Sequence, residues 1–401
     1  MDGCCRTSNQ TGDRKLALLI LCYRRKNGKC NTSLTRAALT IYTCLLNLPG
    51  ALLVLVAFCQ DRRSSESIAQ QADGQEPYLK SIFMRAICCT RYGPPEVLQL
   101  QEVEKPIPRN NELCIKIFAT TITASDCIVR GSKLPVWHPM GLMMGIVLGF
   151  GKPRNPILGM VLSGEIESVG KHVKRFQKGD RVFAFTVNPG TQMRFGTYAE
   201  YMCLSEDWKV SPKPLNLTYE EAAAIPYGGM LALHFLKKAN IQEGNTVLVY
   251  GASGSIGTSA IQLAKYFGAN VTGVCSAANL ELVKSLGADT VIDYTKDNAL
   301  ESKTLYDLVF DAVGKRKSSR FKLHCKTSLT ARGKYISVDD GSPIPKMKNL
   351  ILLKNLAEAN LIRPVIDRCY PLEDMVEAHR YVDTGHKKGN VVITVAHDNS
   401  A

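Results

Sequence analysis

The stretch that decides the fold is Thr246-Val247-Leu248-Val249-Tyr250-Gly251-Ala252-Ser253-Gly254-Ser255-Ile256-Gly257. Its first five residues are almost entirely apolar, which is typical of a parallel strand covered on both faces. Residues 255–267 then follow the spacing of an amphipathic helix. Glycines alone would suit any structural turn, but a buried strand, a glycine turn and a helix in this order predict a dinucleotide-binding element.

Each glycine of this turn has a predicted role. Gly251 allows the tight turn, Gly254 lets the backbone approach a pyrophosphate, and Gly257 lets the helix pack against the strand. The free N–H groups and the positive dipole end of the helix then face the phosphates. The other residues of the turn that we assign to cofactor binding are Ser253, Ser255 and Ile256.

The end of the next predicted strand, residues 270–275, bears on the choice of cofactor. An NAD-specific site normally places Asp or Glu there to bind the ribose 2′-hydroxyl, whereas this chain has Ser276. Serine removes the repulsion that would exclude a 2′-phosphate, so NADPH is favoured. NADH stays open because no Arg or Lys occupies residues 277–280. Asn279 and Tyr294 are further predicted cofactor contacts, Tyr294 at the adenine end.

The pattern of predicted strands and helices divides the chain from Met84 onward into two kinds of domain. From Met84, short β-rich runs separated by Gly and Pro predict a barrel-like domain over residues 84–208, including a strand over 196–202. From about residue 220, helices alternate with strands, which predicts a doubly wound parallel sheet within residues 209–342. Residues 219–236 are helical in period, although Pro226 and Gly228-Gly229 are expected to interrupt them. The fold class is therefore α/β.

Residues 1–83 differ from the rest. Residues 37–59 contain no charged side chain and are long enough to span a bilayer, which needs about 20 residues. One interpretation is a membrane anchor or uncleaved signal. The other, which we favour, is a disordered or artefactual extension ahead of Met84, because residues 60–80 are polar and resemble a linker.

Composition excludes several function classes. The net charge of +14 is spread along the chain, and no block of like charge suggests a nucleic-acid-binding arm. A basic surface suits an anionic cofactor, but it is also common among basic cytosolic proteins. The 14 cysteines include no C-x-x-C pair and no zinc-site spacing. We therefore expect a reduced, metal-free interior and a cytoplasmic location.

Five motifs carry a resemblance to a known family. They are Tyr92-Gly93-Pro94-Pro95-Glu96-Val97-Leu98, Gly179-Asp180-Arg181-Val182, Ala222-Ala223-Ala224-Ile225-Pro226, the turn Gly251 to Gly257, and Leu286-Gly287-Ala288-Asp289. Over about three quarters of its length the chain resembles the medium-chain dehydrogenase/reductase superfamily, in its zinc-free quinone-oxidoreductase (zeta-crystallin-like) branch. The resemblance implies a GroES-like catalytic domain, a Rossmann nucleotide-binding domain, a C-terminal return to the catalytic domain over residues 343–401, and a homodimer.

The resemblance also bears on metal use. Zinc-dependent members carry a Cys-His pair where this chain has Ser125-Asp126, and Gly-His-Glu where it has Gly159-Met160-Val161. Without those ligands no Lewis acid polarises an alcohol. The resemblance then implies hydride transfer from NADPH to a quinone or an α,β-unsaturated carbonyl compound, with no metal.

Candidate catalytic residues follow from the same resemblance. In the zinc-free branch an N-x-x-D element lines the site, and the matching positions here are Thr123 and Asp126. Asp126 would equally serve as a helix or turn cap. His138 is a candidate proton donor, although a lone loop histidine is more often a bystander. Further family positions at the cofactor are Val313, Gly314, Val338 and Asn390, while Leu231 replaces a threonine that faces the nicotinamide in relatives.

Two alternatives to this reductase stay open. One is a zinc-free alcohol or aldehyde oxidoreductase on the same fold. The other is an NADPH-binding protein without efficient turnover, in contact with a membrane if residues 37–59 are an anchor. The loop over residues 133–154, rich in Met, Gly and Pro, is expected either to cover the substrate or to pack in the core.

Overall fold

The computed structural model describes residues 82–131, 145–188, 192–296, 304–316, 319–341 and 345–397, together with the backbone of two strands nearer the N-terminus. The chain forms two compact units, Met1–Leu79 and Lys80–Ala401. In the first, strands β1 (Leu16–Leu21) and β2 (Leu52–Ala57) pair in parallel. The rest of the uncharged segment 37–59 lies outside the described residues. Within the described ranges, no helix has the length and apolar character needed to cross a bilayer.

The second unit begins with a β-rich domain. Its strands are β3 (Phe83–Cys89), β4 (Leu98–Glu104), β5 (Glu112–Ile122), β6 (Val161–Val169), β7 (Arg181–Phe185), β8 (Val187–Asn188), β9 (Gln192–Met193), β10 (Tyr201–Ser205) and β11 (Lys209–Pro212). Helix α1 (Ala124–Arg130) follows β5. The predicted first residue of the strand over 196–202 is wrong, because β10 begins at Tyr201. Pairing with β5 begins only at Tyr201, which lies opposite Lys116.

A nucleotide-binding domain follows. Its elements are α2 (Tyr219–Ala223), α3 (Pro226–Ala239), β12 (Thr246–Tyr250), α4 (Ser255–Tyr266), β13 (Asn270–Cys275), α5 (Leu280–Ser285), β14 (Thr290–Asp293), β15 (Tyr306–Asp311), α6 (Arg320–Thr327), β16 (Leu329–Ser337) and α7 (Met347–Glu358). The five strands are parallel, in the order β14-β13-β12-β15-β16. This order confirms the predicted doubly wound sheet.

The end of the described chain returns to the first domain. Strand β17 (Ile366–Pro371), helix α8 (Met375–Asp383) and strand β18 (Asn390–Thr394) follow α7. Strand β18 pairs antiparallel with β5, and β17 pairs in parallel with β18. A seven-stranded sheet therefore has the order β11-β7-β6-β5-β18-β17, with β10 also paired to β5. The predicted bounds 84–208, 209–342 and 343–401 remain predictions.

The junction between the two domains corrects one expectation. Pro226 does separate two helices, because proline is accommodated in the first turn, where its missing N–H has no partner in any case. The predicted interruption at Gly228-Gly229 is wrong, since both residues lie inside α3. A Cβ at Gly228 would lie 2.3 Å from the Ser255 carbonyl oxygen. Glycine here allows α3 to approach the N-terminus of α4 closely.

Candidate active site

The glycine turn has the geometry that its sequence predicts. Gly251 has φ +81°, in the region that favours glycine. Gly254 precedes the first residue of α4, and no side chain caps this helix end. A Cβ on Gly257 would lie 2.1 Å from the Gly251 oxygen, so only glycine permits this packing. The N-terminus of α4 is thereby left open to an anionic group.

The C-terminal return is tied to this turn. The Gly389 amide donates to the Ser253 carbonyl oxygen at 2.8 Å. The Ser255 hydroxyl donates to Asn390 Oδ1 at 2.7 Å, and Asn390 Nδ2 donates to the Val365 carbonyl oxygen. The structure thus brings Asn390 to the turn, as the resemblance implied. It also commits the Ser255 hydroxyl to Asn390 rather than leaving it free for a ligand.

A side-chain bridge lies where β13 ends. Asn279 Nδ2 donates to the hydroxyls of Ser253 and Ser276, each at 3.2 Å. The Asn279 Oδ1 atom is buried, and no described residue donates a hydrogen bond to it. A buried acceptor without a donor fits a cofactor hydroxyl, because an unmade hydrogen bond at a buried atom costs about 1–3 kcal/mol. Tyr294 is 40% exposed at this end, with its ring 6.2 Å from that of Tyr250.

Asp311, at the end of β15, organises the opposite side of the turn. Its Oδ1 accepts the amides of Val313 and Gly314, and its Oδ2 accepts the Tyr335 hydroxyl and forms an ion pair with Lys322 at 2.7 Å. Burial raises the pKa of Asp311, but the hydrogen bonds from Lys322 and Tyr335 outweigh it and leave the pKa below its ordinary value. The carboxylate therefore fixes the backbone of the predicted cofactor-binding residues Val313 and Gly314.

Val338 joins the same edge of the sheet. Its amide donates to the Asp311 carbonyl oxygen at 3.0 Å. A Cβ on Gly314 would lie 2.9 Å from Val338 Cγ2, so the two predicted cofactor-binding residues are close together. Ile256 and Leu231 are half-buried and pack against the core of the β-rich domain. The first turns of α3 and α4 therefore meet an apolar surface of the first domain.

Thr123 and Asp126 form a capping box at the start of α1. The Thr123 amide and hydroxyl donate to Asp126 Oδ2 at 2.8 and 2.7 Å, and the Asp126 amide donates back to Thr123 Oγ1 at 3.2 Å. Thr123 is 3% exposed and Asp126 is fully buried. This arrangement is the capping alternative that the sequence left open. A catalytic role for either residue stays a prediction.

The ionisation of Asp126 reflects its enclosure. Burial raises its pKa to about 6, although the hydrogen bonds from the hydroxyl and amide of Thr123 act in the other direction. Burial also raises the pKa of Tyr198 well above its ordinary value, and the neighbouring charge of Asp126 adds to this. Tyr198 packs edge-on against the buried ring of His379, with ring centroids 5.7 Å apart.

Stability should therefore depend on pH through Asp126. The unfolded carboxyl ionises first as the pH rises, so the stability that Asp126 contributes is complete below pH 4 and is lost as the pH passes through 6. A pKa raised from 3.8 to about 6 corresponds to about 3 kcal/mol. We expect the unfolding free energy of the wild type, relative to Asp126→Asn, to fall by about this amount between pH 4 and pH 7. A difference that stays constant in urea unfolding across this range would contradict it.

The structure describes the positions of the family's zinc ligands but not the predicted proton donor His138. His138 lies in residues 132–144, outside the described residues, as does most of the loop over 133–154. At the positions of the family's zinc ligands, Met160 is buried and the Ser125 hydroxyl lies 3.0 Å from that of Tyr227. Among the residues with described positions, no three His, Cys, Asp or Glu side chains are grouped to hold a metal ion.

Tyr227 and Asp311 were missed at the level of sequence. Tyr227 stands four residues before Leu231, on the same face of α3, and that spacing was the available signal. Asp311 ends a predicted strand two residues before Val313, a position typical of binding residues in parallel sheets. The contact of Tyr227 with Ser125 and that of Asp311 with Lys322 form only in the tertiary fold, so the sequence alone did not predict them.

Comparison with known proteins agrees with this architecture. Residues 109–214 match the family "Alcohol dehydrogenase GroES-like domain", and residues 255–356 match the family "Zinc-binding dehydrogenase", a second profile of which matches residues 345–393. The chain is 32% identical over 348 residues to 2-methylene-furan-3-one reductase of Solanum lycopersicum, covering 83% of this chain and 84% of that protein. The chain belongs to the medium-chain dehydrogenase/reductase superfamily, in its quinone-oxidoreductase-like branch.

Two further relatives extend this placement. The chain is 29% identical to the NADPH-dependent alkenal/one oxidoreductase, chloroplastic, of Arabidopsis thaliana, covering 77% of this chain and 79% of that protein. The quinone oxidoreductase structure from Coxiella burnetii superposes with a TM-score of 0.65 at 28% identity, covering 78% of this chain and all of that one. This member of the superfamily is therefore an oxidoreductase that uses a nicotinamide cofactor, and the predicted GroES-like and Rossmann architecture is confirmed.

Proposed function

We propose that this chain is an NADPH-dependent reductase of quinones or α,β-unsaturated carbonyl compounds that works without zinc. The observation that carries the proposal is the junction between the domains. A dinucleotide turn at α4 lies beside residues of the first domain that offer hydroxyl groups and apolar surface in place of metal ligands. The relatives named for alkenal, alkenone and quinone reduction support the same chemistry.

The residues present fit a nicotinamide dinucleotide. Bound NADPH supplies the hydride. The amides at the N-terminus of α4 would hold the pyrophosphate, and Asn279 Oδ1 would accept a hydroxyl of the adenosine ribose. Val313, Gly314 and Val338, held by Asp311, would position the nicotinamide half. Leu231 and Ile256 would exclude water from the ring.

The preference for NADPH rests on Ser276. Its hydroxyl accepts a hydrogen bond from Asn279 and carries no charge, so a 2′-phosphate meets no carboxylate at this position. We expect Ser276→Asp to weaken NADPH binding by at least about tenfold, or 1.4 kcal/mol, and to strengthen NADH binding. Ser276→Ala is the matched control and should keep the wild-type order. Titration by cofactor fluorescence measures both, and equal affinities of the wild type for the two cofactors would contradict the preference.

The reductase function is tested with a panel of acceptors. Oxidation of NADPH is followed with quinones, 2-alkenals, alkenones and simple saturated aldehydes. We expect turnover with the first three classes and none with the last. Turnover confined to saturated aldehydes would favour the alcohol/aldehyde oxidoreductase. Tight NADPH binding with no turnover would favour a non-catalytic protein. The homodimer and the cytoplasmic location stay predictions from the resemblance and the composition.

A further inference from the structure

A pair of hydroxyl groups joins the two domains. The hydroxyl oxygens of Ser125 and Tyr227 lie 3.0 Å apart and share a hydrogen bond. Ser125 belongs to the first turn of α1, and Tyr227 to the first turn of α3, so 102 residues separate the two in sequence. The Tyr227 ring lies against Phe185 at the end of β7, with ring centroids 6.5 Å apart. This contact holds the ring in the first domain.

The pair lies next to the dinucleotide turn. The residue after Tyr227 is Gly228, whose Cβ would touch the Ser255 carbonyl oxygen at the start of α4. One helical turn further along the same face of α3 is Leu231, which with Ile256 packs against the core of the first domain. A nicotinamide linked to a pyrophosphate at the start of α4 would lie along this surface. With the ring placed so, the Tyr227 hydroxyl, on the same face of α3 as Leu231, would face a substrate stacked on it.

Three other ionisable groups near α1 are less accessible than this pair. Asp126, Tyr198 and His379 are fully buried, whereas Tyr227 is 7% exposed and Ser125 is half-buried. Burial, together with the charge of Arg130, lowers the pKa of His379 to about 3, so this ring is a neutral imidazole and not an acidic imidazolium at neutral pH. Among the residues whose positions are described, the Ser125–Tyr227 pair thus combines proximity to the turn with a transferable proton.

We propose, on the basis of the reductase function above, that Tyr227 is the catalytic proton donor and that Ser125 positions it and replaces its proton from solvent. As hydride from NADPH bonds to the electron-poor carbon, the electron pair of the C=C bond forms a new C=C bond to the carbonyl carbon, and the π pair of the carbonyl group moves onto its oxygen. Tyr227 hydrogen-bonds to that oxygen and gives it a proton, which forms an enol or a hydroquinone. The Ser125 hydroxyl passes a proton to the Tyr227 oxygen and takes one from water. Each turnover thus consumes one hydride and one solvent proton.

The test compares Tyr227→Phe with Tyr381→Phe. The first keeps the ring contact with Phe185 and removes the hydroxyl. The second removes a tyrosine hydroxyl that donates to Asp367, a residue assigned neither to the cofactor nor to the substrate. We expect Tyr227→Phe to lower kcat about 100-fold, as loss of a general acid does. It should also weaken binding of the saturated ketone product to the NADPH complex about tenfold, measured by cofactor fluorescence, with unchanged NADPH affinity. Tyr381→Phe should change neither quantity.

Ser125 provides a second arm. Ser125→Ala should lower kcat by about tenfold, and Ser125→Thr, which keeps a hydroxyl, should restore most of it. If Tyr227→Phe does not fold, the kcat values of the two Ser125 variants test the proposed proton transfer instead. Wild-type kcat and ketone affinity in Tyr227→Phe would overturn the proposal while leaving the reductase function intact. If the wild type turns over no acceptor, the reductase function fails, and unchanged ketone binding in Tyr227→Phe would then overturn the role of Tyr227 as well.

Discussion

Gly254→Ala is expected to weaken NADPH binding about 100-fold, or 2.8 kcal/mol, without destabilising the fold. The backbone of Gly254 has φ −81°, which alanine adopts readily, and its Cβ would meet only the Gly251 oxygen at an ordinary 3.6 Å. The methyl group would instead occupy the space through which a pyrophosphate approaches the amides of α4. The loss should therefore appear in binding alone.

Gly257→Ala is the matched comparison for this turn. Its Cβ would lie 2.1 Å from the Gly251 oxygen and 2.8 Å from Ala252 Cα, so the helix must shift away from the strand. We expect a loss of about 3 kcal/mol in unfolding free energy as well as in cofactor binding. Urea unfolding and NADPH titration of both variants measure the two effects. Wild-type NADPH affinity in Gly254→Ala would show that the pyrophosphate lies elsewhere.

Lys322→Met is expected to lower the unfolding free energy by about 3 kcal/mol and NADPH affinity at least about tenfold. The ion pair that Lys322 forms with Asp311 is enclosed, with 9% and 2% of the two side chains exposed. Lys322 Nζ also donates to the Gly314 carbonyl oxygen. Removing the cation leaves a buried carboxylate without its charge partner, and the carboxylate holds the backbone at Val313 and Gly314.

An exposed ion pair supplies the control. Lys265 pairs with Asp289 at 2.9 Å, but 34% and 47% of the two side chains are exposed. Lys265→Met should therefore cost less than about 1 kcal/mol and leave NADPH binding unchanged. The double variant Asp311→Asn/Lys322→Met should regain part of the lost stability, since no buried charge remains. Equal costs for the Lys322 and Lys265 variants would contradict the role assigned to Asp311.

Local features of the sequence were enough to predict the nucleotide-binding element. The strand at Thr246–Tyr250, the glycine turn and the helix that follows are encoded within one short stretch, so periodicity and glycine placement determine them. The proximity of Asn390 to the turn came from the resemblance and not from periodicity, because β18 reaches the site through pairing with β5.

Features that depend on the tertiary fold could not be predicted from the sequence. The contact between Ser125 and Tyr227 joins helices of different domains. Gly228 seemed to interrupt a helix because its propensity is unfavourable, but close packing against Ser255 outweighs that cost of about 1 kcal/mol. The late start of β10 at Tyr201 is likewise set by its partner strand, since the residues before it suit a strand equally well.

Zinc independence is tested by NADPH-dependent reduction with protein dialysed against a strong chelator. Metal content is determined on the same sample by mass spectrometry. Zinc would polarise the acceptor oxygen of a metal-dependent enzyme, whereas here a side-chain hydroxyl is assigned that task. We expect a zinc-free protein that reduces a quinone or an alkenone at the undialysed rate, with no gain on adding zinc. Loss of turnover on dialysis, with recovery on adding zinc, would contradict it.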